Sequence, residues 1–265
     1  DLNYPVRLAE AAAKAYGLTI IPGIEITRTP ETVGHFNALF TTDNNIIHDE
    51  DPMQAFRNAH AQGALVMNNH PGWRRQNLDM SEPERKAYAA KLIDGVEVMN
   101  GGEFYPRVID YAIEQGVFIA SNTDIHGSSA EEYFVTTEGA VMRNMTFIFA
   151  KDKSLPELKA ALKARRTLAY SFGTIAGEAS LLKDFFKASI ATSVVYTNPS
   201  NGSRTVSLTN TTSIPYTIRI GGGNLTTLNP FCSIRTTVAK DAKLVVKVEN
   251  MWSGKDTHPE VELTF

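Results

Sequence analysis

The stretch Val117-Phe118-Ile119-Ala120-Ser121-Asn122-Thr123-Asp124-Ile125-His126-Gly127 decides the predicted fold. Its apolar first half is typical of a buried parallel strand, and it ends in an Asp-x-His pair followed by glycine. Asp124 and His126 are two residues apart, so on an extended backbone they project to the same face. A carboxylate and an imidazole at the carboxyl end of a strand indicate either a metal site on an α/β scaffold or a polar turn. The other strand ends distinguish these alternatives.

Similar strand ends occur upstream. A predicted strand over 18–26 carries Glu25 between two isoleucines, where it is either a solvent-facing residue or a buried carboxylate with a partner. A second apolar run ends in Asn69-His70-Pro71-Gly72, and His35 begins the predicted strand 34–40, where a purely structural histidine is the alternative. In α/β folds the chemistry lies at the carboxyl ends of strands. This edge is therefore the favoured position for a metal site. The polar residues predicted to lie there are Glu25, His70, Asn100, Asp124 and His126.

Strand and helix patterns alternate through residue 165, with turn signals between them. This alternation predicts βαβ units and a parallel sheet or barrel. After about Lys187 the composition shifts to Thr, Ser, Asn, Val and Gly, with short strand patterns at regular spacing, which predicts a small β-sandwich. We therefore expect an α/β domain over 1–187 and an immunoglobulin-like accessory domain over 188–265. The predicted core of the second domain is Val195, Val206, Leu208, Ile218, Ile220, Ile234, Val238, Val246 and Val248.

Composition narrows the function classes. The chain has 265 residues, is 43% hydrophobic and 21% charged, and carries a formal net charge of −3. The absence of a long basic run argues against duplex nucleic acid as the main partner. No apolar stretch is long enough to span a membrane. A single cysteine, Cys232, excludes an intramolecular disulfide framework and any multi-cysteine zinc site. The oligomeric state is not predicted.

Five short motifs, taken together and in order, resemble the polymerase-and-histidinol-phosphatase (PHP) family. The resemblance covers roughly residues 18–171 and implies a distorted (β/α)7-type barrel that binds two or three divalent ions and hydrolyses phosphate esters. Members of the family begin with a His-x-His strand that is not found in this sequence, so we expect a native segment to precede Asp1. The motifs are Gly23-Ile24-Glu25-Ile26-Thr27, Gly34-His35, Asn69-His70-Pro71-Gly72, Val96-Glu97-Val98-Met99-Asn100 and Asp124-Ile125-His126.

The resemblance implies roles for individual residues. Glu25 corresponds to a carboxylate that bridges two metals, and Glu25 and Asp124 are the catalytic candidates. The implied metal ligands are Glu25, His35, His70, Asp124 and His126. By position alone, the substrate pocket is expected to be lined by Arg28, Asn69, Trp73, Arg74 and Asn100.

The implied function is hydrolysis of phosphate monoesters or diesters by a metal-activated water, with a small phosphorylated molecule as substrate. Nitrogen and oxygen ligands suit Zn²⁺, Mn²⁺ or Fe²⁺ without choosing among them. Two alternatives stay open at this stage. One is an amidohydrolase-type metal hydrolase, and the other is a non-catalytic binding protein on a degenerate barrel. The analogy with exported bacterial hydrolases that carry a β-sandwich favours the periplasm or cell surface.

Overall fold

The computed structural model describes residues 1–29, 31–75, 78–128 and 143–265. The chain divides into two compact units, Asp1–Tyr170 and Ser171–Phe265. This division precedes the helix Ala179–Ser189, whereas the composition change predicts a boundary near the end of that helix. The difference has a simple cause: the amphipathic, lysine-containing sequence of this helix follows the pattern of the preceding α/β segment. In the described ranges, no helix has the length and apolarity needed to cross a membrane.

The first unit combines helices and strands in the predicted alternation. Its helices are α1 (Tyr4–Lys14), α2 (Pro52–Ala61), α3 (Glu82–Ala89), α4 (Pro106–Gln115) and α5 (Leu155–Lys163). Its strands are β1 (Gly23–Thr27), β2 (His35–Leu39), β3 (Leu65–Asn68), β4 (Gly95–Asn100), β5 (Glu103–Phe104), β6 (Phe118–Asn122), β7 (Met145–Ile148) and β8 (Thr167–Ser171), and a 3₁₀ turn covers Asn44–Ile46.

The main sheet of this unit is mixed and open. Its strands lie in the order β1-β2-β3-β4-β5, and β6 pairs with β4. The pairs β3–β4 and β4–β6 are parallel as predicted, but β1–β2 and β2–β3 are antiparallel. The prediction of an α/β class is confirmed. A closed barrel is not found in the described residues, and the prediction of parallel pairing is wrong for β2, which is antiparallel to β1 and β3. The connection from Thr27 to His35 is far too short for a parallel crossover, so β1 and β2 form a hairpin.

Helix starts follow local capping chemistry. The Asp51 carboxylate accepts a hydrogen bond from the backbone N–H of Met53 at 2.9 Å and caps α2. Ser81 and Glu84 form a reciprocal capping box at the start of α3, with the Ser81 N–H donating to Glu84 Oε2 at 2.7 Å. At the other end, α4 stops at Gly116, whose φ of +69° is a left-handed conformation that favours glycine. These local signals determine where α2 and α3 begin and where α4 ends.

One hydrophobic cluster packs α5 against the centre of the sheet. Gly95 and Phe118 are partners across β4 and β6, and a Cβ on Gly95 would lie 2.2 Å from the Phe118 ring. Only glycine therefore allows the ring to lie over β4. In β3 and β6 the cluster residues lie shortly before the carboxyl ends of the strands. The cluster consists of Phe40, Leu65, Met67, Phe118, Ala120 and Leu162.

The second unit begins with β9 (Thr174–Gly177) and α6 (Ala179–Ser189), which makes it not wholly β. From residue 190 onward its regular elements are strands: β10 (Ile190–Thr197), β11 (Arg204–Asn210), β12 (Tyr216–Ile220), β13 (Thr226–Leu228), β14 (Ser233–Val238), β15 (Leu244–Val248), β16 (Met251–Trp252) and β17 (Glu260–Leu263). They form the three-stranded order β10-β11-β14 and the four-stranded order β13-β12-β15-β17, and β16 pairs with β9.

The predicted core of this unit is largely confirmed. Full burial is observed for Val206, Leu208, Ile218, Val246 and Val248, and Val238 is 6% exposed. Ile220 and Ile234 are only half-buried. Val195 is 46% exposed, so its assignment to the core is wrong. It lies on the edge strand β10, where one side of the strand has no neighbouring strand in the three-stranded order.

Candidate metal centre

The β1–β2 hairpin brings Glu25 and His35 together. Thr27 lies opposite His35 and Glu25 lies opposite Asn37, so Glu25 and His35 are diagonal neighbours on one face. The Glu25 Oε1 to His35 Nδ1 distance is 2.8 Å. Because β2 runs antiparallel to its neighbours, its first residue meets the ends of β1 and β3. His35, at the beginning of β2, thus lies at the same edge of the sheet as the ends of β1 and β3. In a parallel sheet, the first residue of a strand would lie at the opposite edge.

His70 joins this pair from the segment after β3. Its φ of +27° is unusual for a residue with a side chain, and the residue is 7% exposed. The His35 and His70 rings contact each other edge-on with centroids 4.9 Å apart. Ligand atoms of Glu25, His35 and His70 all lie within 4.8 Å of one another. We call these three residues the ligand cluster.

Burial lowers the pKa of His70, and the neighbouring His35 lowers it further. The neutral imidazole that this favours is the form that coordinates metals. Two imidazoles and a carboxylate are donors that Zn²⁺, Mn²⁺ and Fe²⁺ all accept. The donor set and its spacing therefore fit a divalent ion.

Asp124 and His126 follow β6, as the sequence predicts, but they differ in position. Asp124 has a φ of +52°, and its Oδ2 lies 4.0 Å from His70 Nε2, next to the ligand cluster. His126 is exposed. Neither belongs to the group of mutually close ligand atoms found among the described residues. The structure thus brings together three of the five predicted ligands, places a fourth beside them and leaves His126 outside the group.

Trp73 and Arg74 cover one side of the cluster. The Trp73 ring lies 4.9 Å from His35 and 5.4 Å from His70, measured between centroids. The guanidinium of Arg74 stacks 4.5 Å above the Trp73 ring. Arg74 is exposed and has a φ of +54°. The Trp73 ring thus contacts both imidazoles and also stacks with a cation.

The other predicted pocket residues have diverse environments. Asn69 is 6% exposed, and its Oδ1 has no hydrogen-bond partner among the described residues. Asn100 is buried and donates to Glu97 Oε2 at 2.9 Å. The guanidinium of Arg28 donates to the backbone oxygens of Thr27 and Asp49. Arg28 thus braces its own loop, and its predicted part in substrate binding stays a prediction.

Glu97 is the residue to which the sequence analysis gave no role. It lies in β4 with 2% exposure and accepts hydrogen bonds from the His70 N–H and from the side chains of Asn100 and Asn122. Burial raises its pKa to about 7, against the opposing effect of these three donors. A signal was present in the sequence: Glu97 lies between two valines, and a carboxylate that is buried with such neighbours requires a partner.

A cavity of about 600 Å³ is lined by residues of α3 and α4 and also by Asn68 and Pro71, which flank the Asn69-His70 pair. It contains the buried pair Arg75–Glu84, whose closest atoms are 2.7 Å apart. No residue of the ligand cluster lines it. The chemistry of the donor set, rather than cavity size, therefore locates the candidate site.

The fold and the donor set together define a mixed α/β protein with a candidate divalent-metal centre at its strand ends. No family model matches the sequence, and no curated protein matches it. Among solved structures, the chain is similar to a two-domain protein of Bacteroides vulgatus ATCC 8482 that contains a predicted PHP-like metal-dependent phosphoesterase. The two are 28% identical with a TM-score of 0.89, over 99% of this chain and 80% of that chain. The fold of this chain is PHP-like.

Proposed function

We propose that this protein is a metal-dependent phosphoesterase that cleaves small phosphate monoesters or diesters. The observation that carries the proposal is the ligand cluster of Glu25, His35 and His70. Support comes from the similar structure, whose phosphoesterase is itself a prediction. In this proposal the cluster would hold the first ion together with Asp124, and His126 would hold a second ion. The bound ions would supply positive charge to the ester and lower the pKa of a water nucleophile.

The residues of the chain have separate tasks in the proposed reaction. Glu25 provides the negative charge that keeps cations at the site. Asp124, whose Oδ2 lies 4.0 Å from His70 Nε2, is the proposed acceptor of the proton from the attacking water. Arg74 binds the phosphate oxygens, because a guanidinium donates two parallel hydrogen bonds to such a group. Asn69, with its unpaired oxygen, is a further candidate for a contact with substrate.

Trp73 and the second unit have supporting roles in the proposed function. Trp73 forms a wall that excludes water from one side of the cluster and keeps Arg74 in place. The second unit shows no group of three or more potential ligands among its described residues, so we assign it an accessory role. Export from the cell, with a small phosphorylated molecule as the partner, is part of the same proposal and rests on analogy alone.

The direct test is metal reconstitution of the full-length protein. We expect a chelator to remove hydrolysis of p-nitrophenyl phosphate or bis-p-nitrophenyl phosphate, and Mn²⁺ or Zn²⁺ to restore it. p-Nitrophenyl acetate and a lactone or amide panel test the amidohydrolase alternative under the same conditions. Turnover of acyl substrates without phosphate ester hydrolysis would contradict the proposal. Metal binding without any turnover would favour the non-catalytic alternative.

A further inference from the structure

The side chain of Glu97 contacts residues at or just after the ends of three strands. It is in β4, whose parallel neighbours are β3 and β6. Its carboxylate is buried, and it is not a member of the ligand cluster. Removal of a carboxylate from water is unfavourable unless specific partners replace the water. The identity of those partners indicates what the residue does.

Each oxygen of Glu97 faces a donor. Oε2 accepts from the His70 backbone N–H at 2.7 Å and from Asn100 Nδ2 at 2.9 Å. Oε1 accepts from Asn122 Nδ2 at 2.7 Å. A glutamine has one oxygen and one NH₂ group, so in either orientation it would turn a donor towards a donor. The three donors therefore require a side chain with two oxygens that both accept hydrogen bonds, which is a carboxylate.

An irregularity in β4 allows the contact with Asn100. In the pairing with β6, Glu97 is opposite Ala120 and Met99 is opposite Ser121, so Val98 is an extra residue. Side chains three residues apart in a regular strand point to opposite faces. The bulge shifts this alternation and lets Asn100 turn towards Glu97. Bulges often redirect side chains next to functional sites.

The bond to His70 has the clearest consequence. His70 has a positive φ, which a residue with a Cβ adopts only when its surroundings impose it. The Glu97 carboxylate holds the backbone N–H of this same residue. On the other side it holds Asn122, which is two residues before Asp124, itself at positive φ. One carboxylate thus links the two segments that present His70 and Asp124.

We propose that Glu97 is a positioning residue for the metal centre, and that it fixes the backbone of His70 so that the imidazole faces Glu25 and His35. It acts through His70 and the two asparagines and does not itself contact the ion. The inference rests on the proposed metal site and adds the residue that organises it. Partners that orient metal ligands typically affect metal affinity about 10- to 100-fold.

The experiment measures Zn²⁺ affinity of the full-length protein by competition with a chromophoric chelator. Glu97→Gln is compared with Glu84→Gln, because Glu84 is equally buried at 1% exposure and bonds to Arg75 outside the ligand cluster. We expect Glu97→Gln to weaken Zn²⁺ binding about 10- to 100-fold, the range for residues that orient ligands. Glu84→Gln should lower the thermal unfolding midpoint but leave Zn²⁺ affinity within about threefold of the wild type, or roughly 0.6 kcal/mol.

The visible spectrum of the Co²⁺-substituted protein reports ligand geometry. Glu97→Gln should change its band positions, and Glu84→Gln should not. If Glu97→Gln does not fold, Asn122→Ala and Asn100→Ala each remove one partner of the carboxylate, and we expect each to reduce affinity and the double variant to reduce it further. Wild-type affinity and an unchanged Co²⁺ spectrum in Glu97→Gln, or in the double variant, would overturn the inference. Equal losses of affinity in Glu97→Gln and Glu84→Gln would also overturn it. A wild-type protein that binds no Zn²⁺ would instead overturn the proposed function.

Discussion

Two buried asparagines, Asn210 in the second unit and Asn69 in the first, have different surroundings. In the second unit, Asn210 is fully buried, and its side chain donates to the backbone oxygens of Ile214, Leu228 and Asn229. Its own oxygen accepts from Thr212. In the first unit, the buried Asn69 has an unpaired oxygen, and His70 beside it has a positive φ. Asn210 is thus fully bonded within its own unit, whereas the Oδ1 of Asn69, next to the ligand cluster, has no partner in the described part of the chain.

This difference distinguishes structural from functional polarity. An asparagine whose side chain is fully hydrogen-bonded stabilises loops and has no donor or acceptor available for a ligand. A buried oxygen without a partner, next to strained residues and clustered imidazoles, is typical of a site that binds something. Positive φ alone is insufficient, because Phe231 in the second unit also has it and is an exposed turn residue. The combination of strain, unpaired polar atoms and metal-type ligands marks the site.

The largest expected effect is that of Glu25→Gln. The substitution keeps the size of the side chain but removes the charge that holds cations. We expect hydrolysis of p-nitrophenyl phosphate to fall by roughly three orders of magnitude or more, because bound metals contribute several kcal/mol to catalysis. Glu10→Gln makes the same chemical change on an exposed position of α1 and should leave activity unchanged. Similar activities in the two variants would break the assignment of Glu25.

Asn210→Ala tests the structural side of the comparison. It leaves three carbonyl groups without their donor, and such losses amount to about 1–3 kcal/mol per buried group, so we expect roughly 3 kcal/mol less unfolding free energy. Chemical denaturation measures this, with Asn224→Ala at an exposed position as the control. Zn²⁺ affinity should be unchanged in both variants. A loss of Zn²⁺ affinity in Asn210→Ala would show that the two units are not separate in function.

Arg74→Ala is expected to have an intermediate effect. Loss of one or two charge-assisted hydrogen bonds to phosphate should lower kcat/KM by roughly 10- to 100-fold. Arg74→Lys should recover only part of this, because lysine keeps the charge but lacks the planar group that stacks on Trp73 and binds two oxygens at once. Arg57→Ala on the exposed side of α2 is the control. Full recovery by lysine would show that charge alone matters at this position.

Much of the fold could be predicted from apolar periodicity and turn residues. Strands β3, β4 and β6 end in polar residues, and their parallel pairing follows from the helices between them. The hairpin of β1 and β2 was also predictable, because only seven residues separate Thr27 from His35 in the sequence. Most of helix α6 was assigned to the first predicted domain, because its sequence continues the pattern of that domain. In the structure, the helix belongs to the second unit.

The site was predictable in its residue types but not in its geometry. The sequence offers two-residue spacing for Asp124 and His126, which predicts a shared face on an extended strand. The structure ends β6 at Asn122 and gives Asp124 a positive φ, so the spacing no longer fixes the two directions. Glu97 was recognisable as a buried carboxylate, but its link to His70 depends on the pairing of β3 with β4, which only the fold provides.

The smallest expected effect concerns His126. Glu25, His35 and His70 form the cluster of mutually close ligand atoms, and the exposed His126 is outside it. We therefore expect His126→Ala to leave the tightest Zn²⁺ site within about threefold of wild-type affinity, or roughly 0.6 kcal/mol. His35→Ala should weaken that site far more, since it removes a direct ligand.

Isothermal titration that resolves stoichiometry adds a second criterion. If His126 serves a second ion, its loss should reduce binding from two equivalents to one while the tight site persists. A strong loss of the tight site in His126→Ala would show that this histidine joins the ligand cluster when the ion is bound. The ligand cluster would then consist of four residues instead of three.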